Sequence, residues 1–369
     1  MRIRRVRLVN LRCHQHLDVE FGSGLNLVVG GNGTGKTSLV EAICLALQGT
    51  SPRTHRPTEC ILSGAEHLRV EVELGPDPCV GPEAISGGAA SNYRTLVAAA
   101  AFSRSGERRL QADGSVLSSV ERWESLAPVR TFFPDDLRLV KGSPRRRREF
   151  LDALIARVSS EYAASLARYG KALGQRNALL QRHQLGDEHG PWETILAEEG
   201  LVVTRARARE LSRFAPIAGS IYQDLMNNTA VGLRMIYRTN VGDMTMTEYQ
   251  EALRDQREGD GRRTFTHTGP HRDDVRLVAG GIDLRGSGSQ GEQRGALLAL
   301  VLASAQWAAA AGLSLPILLL DDVMSELDHA RRRSLVRRLL SEGQSIITTT
   351  DLHHFENDEI KTAHVIEIP

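Results

Sequence analysis

Lysine is nearly absent from the chain: Lys36, Lys141, Lys171 and Lys361 are four of its 46 basic residues, so arginine carries almost all the positive charge. A GC-rich genome would produce that skew as readily as any function. An excess of either sign is also missing. The formal net charge is +1, so there is no global polycation signal. Cysteine is scarce and scattered (Cys13, Cys44, Cys60, Cys79) with no C-x-x-C pair, which excludes a disulfide scaffold and fits a reducing compartment. No apolar run reaches about 18 residues, and the N-terminus has no signal-peptide core. The expectation is a soluble, cytoplasmic protein. At 369 residues it has room for one large domain or two ordinary ones.

What is present is a loop, Gly30-Gly31-Asn32-Gly33-Thr34-Gly35-Lys36-Thr37, matching G-x-x-x-x-G-K-[ST]. Leu25–Val29 before it reads as a short buried strand. Leu39, Ile43, Ala46 and Leu47 after it recur at helical spacing. Strand, glycine loop and helix together aim backbone N–H groups and a helix N-terminus at phosphate oxygens. Glycine lets that backbone take positive φ and approach the anion closely. Lys36 is expected to reach the β- and γ-phosphates, and the Thr37 hydroxyl to ligate Mg2+. The reading is a nucleoside triphosphate site.

Around the loop, residues 3 to 29 read as a small sheet, in which Ile3, Val6 and Leu8 alternate with arginines and Val19–Phe21 offers a partner strand. Arg12, in the polar turn between them, is either a solvated charge or a nucleotide contact. Strands are expected at Leu68–Leu74, Thr95–Phe102 and Val129–Phe133, with a surface excursion from Gly75 to Ser91 and a hairpin turn at Asp113-Gly114. Composition changes at Pro144. An apolar stripe runs from Leu151 through Val158 to Leu180, and a second from Trp192 to Leu225, predicting two helices of about 50–60 Å in an antiparallel hairpin. The expected division is 1–140 and 262–369 as two halves of a nucleotide-binding domain, with 141–261 inserted. Arg145, Arg146, Arg147 and Arg148 open the first helix against the positive end of its dipole. That conflict leaves two readings open, a solvated turn or a contact to DNA or another acidic surface.

Two further segments complete the site on paper. Leu315–Leu320 is an apolar strand ending in Asp321 and Asp322. The first acid is expected to hold magnesium, and the second to orient or deprotonate the attacking water. Upstream, Ser289 and Gly291 at the start of a helix from Arg294 to Ala311 make a second anion site. One P-loop needs no second phosphate site unless that site serves another subunit, which argues for a dimer. Ser345–Thr350 is a β-branched strand leading to His353 and His354, either of which is a candidate γ-phosphate sensor.

These residues resemble the ABC-type ATPase heads of the SMC-like branch, and within it the RecF family of bacterial recombination mediators, over nearly the whole chain. The carriers are Asn10-Leu11-Arg12-Cys13-His14, the P-loop, Ser289-Gln290-Gly291-Glu292-Gln293, the Asp321-Asp322 pair and Ser325–Asp328. Lys141–Asp152 and His267–Asp274, with its Gly-Pro-His-Arg-Asp-Asp core, resemble the family more narrowly. The resemblance implies an α/β fold of mixed sheets around the P-loop helix with an inserted helical hairpin. It also implies an ATP site with Arg12, Gly30, Asn32, Gly33, Thr34, Gly35, Lys36, Thr37 and Ser38. Mg2+ would lie on Thr37 and Asp321, Asp322 would serve hydrolysis, Asp328 would be the D-loop acid, and Ser289, Gln290, Gly291 and Glu292 would meet a partner's nucleotide. Glu292 stands where the family usually has glutamine, and Asp135 or Asp136 is the Q-loop candidate. The implied function is a weak, DNA-stimulated ATPase that dimerises on ATP and closes on DNA near a gap, with RecR and RecO as partners in loading RecA. A transporter subunit, an SMC-like structural ATPase and a small-molecule kinase fit less well. The first lacks a reason for the insertion, the second needs far longer coiled coils, and the third has no use for the Ser289 segment.

Overall fold

A computed structural model of the chain describes residues 1–76, 95–117, 127–228, 230–341 and 343–369. The excursion expected from Gly75 to Ser91 falls largely outside them. Two compact units are present, Met1–Asp135 with Ala308–Pro369, and Asp136–Trp307.

The described strands are β1 (Arg2–Leu11), β2 (His14–Glu20), β3 (Leu25–Val29), β4 (His67–Gly75), β5 (Leu96–Ser103), β6 (Arg108–Ala112), β7 (Ser115–Val116) and β8 (Val129–Phe132). After them come β9 (Leu233–Arg238), β10 (Asp274–Ala279), β11 (Ile282–Asp283), β12 (Ile317–Leu320), β13 (Ser345–Thr349) and β14 (His364–Glu367). The helices are α1 (Lys36–Gln48), α2 (Pro144–Ala156), α3 (Ser160–Gln181), α4 (Gly190–Met226) and α5 (Met246–Asp255). The rest are α6 (Arg257–Arg263), α7 (Gln290–Ala310), α8 (His329–Ser341) and α9 (Asn357–Thr362).

In the first unit, an antiparallel sheet of order β2-β1-β4-β5-β6-β7 faces a parallel sheet of order β14-β3-β13-β12-β8. Period-two alternation explains the first sheet: Val6, Leu8, Val70 and Val72 are buried while Arg5, Arg7 and Glu71 lie on the other face. The second reads as short, continuously apolar strands, as expected where both faces are covered. Helix α1 lies against strands of both sheets and is buried from Ser38 through Leu47, which is why its sequence is apolar on every side. The turn at Asp113-Gly114 has both residues at positive φ, as that dipeptide predicts.

In the second unit, the expected first helix is two. Ser159 accepts a hydrogen bond from the Tyr162 N–H at 3.1 Å and caps a new helix, so the stripe through Val158 is interrupted and α3 alone spans 22 residues, about 33 Å. Helix α4 is unbroken over 37 residues, about 55 Å, with Pro216 inside it, and pairs with α3. Strands β11, β10 and β9 form a small sheet against α2 and α4, so residues 262–307 pack in the same unit as the hairpin.

The arginine run is also corrected. Arg147 is buried, makes bidentate hydrogen bonds to Asp274 at 2.8 and 3.1 Å, and donates to the Gly142 carbonyl at 2.9 Å. Arg148 donates to the Asp273 carbonyl at 2.6 Å. A carboxylate inside the unit thus answers the dipole conflict, and only Arg145 and Arg146 are exposed. Nearby, His271 Nε2 lies 2.8 Å from the Thr266 carbonyl, so it must carry the proton, and Nδ1 accepts from the Tyr169 hydroxyl at 2.6 Å. Burial pushes the His271 pKa down to about 4.

Because the folded pKa lies below the unfolded one, stability is fully present above about pH 6.5 and falls as pH drops toward 4. The loss is on the order of 3 kcal/mol. Urea titrations across that range should show a shallower decline for His271→Gln than for the parent chain. Equal slopes would remove His271 from the account.

Candidate functional site

Strand β3 delivers the chain into the glycine loop, and α1 begins directly after it. Gly35, at φ 94°, is the N-cap and supplies no side-chain cap, so the first N–H groups of α1 face the loop without a side-chain acceptor. A Cβ on Gly35 would lie 2.1 Å from His14 Nε2, and one on Gly30 would lie 2.7 Å from the Ile368 carbonyl oxygen. At Gly33, φ +85°, an added Cβ meets nothing within 4 Å. The loop is therefore packed from below by His14 and β14's end and open above, a cradle of backbone donors suited to phosphate. The Lys36 ammonium spans it, 2.7 Å from the carbonyls of both Gly30 and Gly31. Thr34 closes the turn on the Gly31 carbonyl at 3.2 Å, Asn32 is exposed at the rim, and Ser38 is buried.

Parallel pairing brings the other half of the site to this loop. Thr349 of β13 pairs with Val29 of β3, and Ile347 pairs with Leu320 of β12. Asp321 therefore leaves its strand beside the loop. The Thr37 hydroxyl lies 2.9 Å from both Asp321 carboxylate oxygens. A divalent cation on Thr37 and Asp321 fits this donor set of hydroxyl and carboxylate oxygens. Burial raises the Asp321 pKa, with hydrogen bonds from Thr348 and Thr37 opposing the shift.

Thr348 was not singled out by sequence reasoning. Its hydroxyl donates to Asp321 Oδ1 at 2.7 Å and accepts from the Asp322 N–H at 2.9 Å, so one side chain orients both acids. The available signal was its place one residue inside the end of a β-branched strand. Asp322 sits at φ 47°, a conformation that costs a non-glycine residue energy. Its Oδ2 accepts from the Ser325 hydroxyl at 2.8 Å, while Oδ1 is buried without a partner. An unsatisfied carboxylate oxygen beside a phosphate cradle is suited to accept a proton or hydrogen bond from water.

Of the two histidines, His353 is exposed, whereas His354 is half-buried with Nδ1 3.3 Å from the Thr349 hydroxyl at the strand end nearest the loop. Burial lowers the His354 pKa. Asp135 follows β8, whose Phe132 pairs with Leu320, so it too lies at the carboxyl end of the parallel sheet. Asp328 caps α8, accepting from the Arg331 N–H at 2.9 Å, and stays exposed.

Arg12 is tied to the scaffold of the first unit. Its Nε and Nη2 donate to the two oxygens of Glu41 at 2.8 and 2.7 Å, and Nη1 donates to the Glu59 carbonyl at 2.9 Å. Glu41, fully buried in α1, also accepts from the Ser51 hydroxyl at 2.5 Å. Burial alone would raise the Glu41 pKa, but these donors outweigh it and hold the carboxyl below its ordinary range.

In the second unit, Ser289 starts α7 as half of a capping box. Its N–H and hydroxyl donate to Glu292 at 2.8 and 2.7 Å, and its Oγ accepts from the Glu292 N–H at 3.3 Å. Ser289 and Gln290 are exposed and Gly291 is half-buried. Gln293 is buried, with its amide on the Leu284 carbonyl at 2.6 Å.

Residues 5–150 match the family model described as AAA domain. The DNA replication and repair protein RecF of Heliobacterium modesticaldum is 35% identical, covering 100% of this chain and 97% of that protein. The same-named protein of Gloeobacter violaceus is 32% identical over 100% and 97%. The chain belongs to the RecF family. A solved structure of the recombination mediator RecF with ATP, from the RecFOR pathway, is similar at a TM-score of 0.80 and 27% identity, over 96% of this chain and 93% of that one. An Smc head domain from Pyrococcus furiosus aligns at a TM-score of 0.61 and 17% identity, a likeness of fold. The RecF-family chain therefore has the ABC-type P-loop ATPase head with a helical insertion that its sequence predicts.

Removing one partner of a buried ion pair strands the other charge. Arg12→Ala should lower the unfolding free energy by about 3 kcal/mol in urea without nucleotide present. An unchanged midpoint would mean that the pair with Glu41 is not structural.

Proposed function

We propose that this RecF-family chain is an ATP-dependent DNA-binding protein of recombinational gap repair. The observation that carries the reading is the Thr37 hydroxyl held equidistant, at 2.9 Å, from both Asp321 oxygens beneath an uncapped helix N-terminus. ATP phosphates lie in the Gly30–Thr37 loop, with Lys36 leaving the Gly30 and Gly31 carbonyls for the β- and γ-phosphates. Thr37 and Asp321 would hold Mg2+, whose charge would offset that of the phosphates, and Asp322 positions the attacking water. The segment Ser289, Gln290, Gly291 and Glu292, exposed at its first two residues, meets the nucleotide of a second copy, so ATP joins two chains and Asp328 approaches from the partner. The dimer closes on DNA near a single-strand/double-strand junction, and slow, DNA-stimulated hydrolysis reopens it.

The names of the relatives support this setting: DNA replication and repair for the sequences, and the RecFOR pathway with bound ATP for the structure. RecR and RecO would be the partners and RecA loading the outcome, in the cytoplasm. No described helix is long and apolar enough to cross a membrane. DNA held through arginine–phosphate contacts would be salt-sensitive and weakly sequence-dependent.

Lys36→Ala should weaken ATP binding and abolish dimerisation. Ser289→Arg should bind ATP normally as a monomer yet fail to dimerise. Fluorescent-nucleotide titration and sedimentation separate the two, and loss of ATP binding in the Ser289→Arg monomer would overturn the shared site. Glu292 places a carboxylate against the Ser289 hydroxyl that a γ-phosphate must engage, and like charges repel. Glu292→Gln keeps a capping partner without the charge, so ATP-dependent dimerisation should tighten several-fold by sedimentation; weaker dimerisation would show that the carboxylate is not in opposition.

A further inference from the structure

Phe265 is 40% exposed, and its ring stacks on His267 with centroids 4.3 Å apart and planes at 29°. The Arg272 guanidinium lies over the Phe265 ring, 5.7 Å from its centroid. Arg262 and Arg263, both exposed, end α6 immediately before it, and Thr264 turns the chain out of the helix at φ 64°. All five side chains belong to the second unit. An aromatic ring left this accessible forfeits the hydrophobic stabilisation that burial would supply.

The patch is held firmly from beneath. The Phe265 N–H donates to the Asp260 carbonyl at 3.2 Å. His267 Nδ1 lies 2.9 Å from Asp260 Oδ1, and Asp260 Oδ2 accepts from Arg176 at 2.7 Å. Arg176 also donates to the Thr266 hydroxyl at 2.8 Å, and that hydroxyl donates to Asn177 at 2.8 Å. Arg176 and Asp260 are 0% and 1% exposed, so the carboxylate nearest the patch is neutralised inside the fold. What faces outward is an aromatic platform beside the Arg272 guanidinium, with the exposed Arg262 and Arg263 three and two positions ahead of Phe265 in the chain.

We infer that the Phe265–His267 stack with Arg262, Arg263 and Arg272 is a binding site for an unpaired DNA strand, in which a base stacks on Phe265 and the arginines hold flanking phosphates. The inference rests on the DNA-binding reading above and gives it a place on the surface. Duplex DNA would satisfy the arginines but has no free base face to offer the ring. A single strand satisfies both, and base–aromatic stacking tolerates any sequence. The surrounding cations supply the charge complementarity to a phosphate backbone, and the rigid hydrogen-bonded base reduces what binding would lose in ordering the ring.

The test uses the full-length protein with ATP, a blunt duplex, and the same duplex carrying a single-stranded tail. Phe265→Ala should weaken binding of the tailed DNA about 5- to 100-fold, with duplex affinity unchanged. Phe265→Tyr should keep wild-type affinity, and a 5-iododeoxyuridine tail should crosslink to Phe265 in the parent chain. Equal affinity of parent and Phe265→Ala for the tailed DNA would overturn the site, as would equal losses on both DNAs. A crosslink map that avoids 262–272 would do the same, and needs no variant to fold. Absence of any DNA binding by the parent chain would instead overturn the reading on which the site rests.

Discussion

The Thr37–Asp321 contact joins residues 284 positions apart, and the rest of the first unit is arranged so that it can form. It requires β3, β13 and β12 to run parallel and adjacent, because only then do the glycine loop and the acidic pair emerge at one sheet edge. Parallel neighbours cannot be joined by short turns, so long connections must leave and return. The chain between the loop and Asp321 accordingly holds strands β4 to β7 of the antiparallel sheet and an entire second unit. A buried acid with a raised pKa is stable in this setting because Thr37 and Thr348 both donate to it.

Scarcity of lysine has a structural counterpart. Three buried arginines make forked or multiple hydrogen bonds: Arg147 on Asp274, Arg176 on Asp260 and Thr266, and Arg207 on Asp152 at 2.8 Å through two nitrogens. A planar guanidinium can satisfy a carboxylate and neighbouring carbonyls at once, which an ammonium on a flexible stem does less well. Lys36 stands apart because a phosphate cradle uses a compact point charge that can shift between backbone carbonyls and phosphate oxygens. The Gly-Pro-His-Arg-Asp-Asp segment belongs to the same scaffold: His271 bonds Tyr169, and Asp273 bonds Tyr237 and Arg207.

Legibility in the sequence followed the range of the interaction. The strand, loop and helix at Gly30–Thr37, the apolar strand before Asp321, the turn at Asp113-Gly114 and the stripes of α3 and α4 are local patterns, and each was readable. The break at Ser159 was a local signal overridden in the reading by an apolar spacing that continues across it. Charges were read poorly. Arg12, Arg147 and Arg148 carry no local sign of the partners that hold them, which lie 29, 127 and 125 residues away.

By itself, then, the sequence determined that this chain is a P-loop protein with a second acidic strand, a second potential anion site and a helical insertion, because backbone conformation and periodicity are set by neighbouring residues. Tertiary structure alone decided that Thr348 orients both Asp321 and Asp322, and that Glu292 occupies the Ser289 hydroxyl. It also decided that Phe265 stays on the surface beside Arg272. Those outcomes depend on strand order and on which buried charge finds a partner, and neither is encoded in any short stretch of residues.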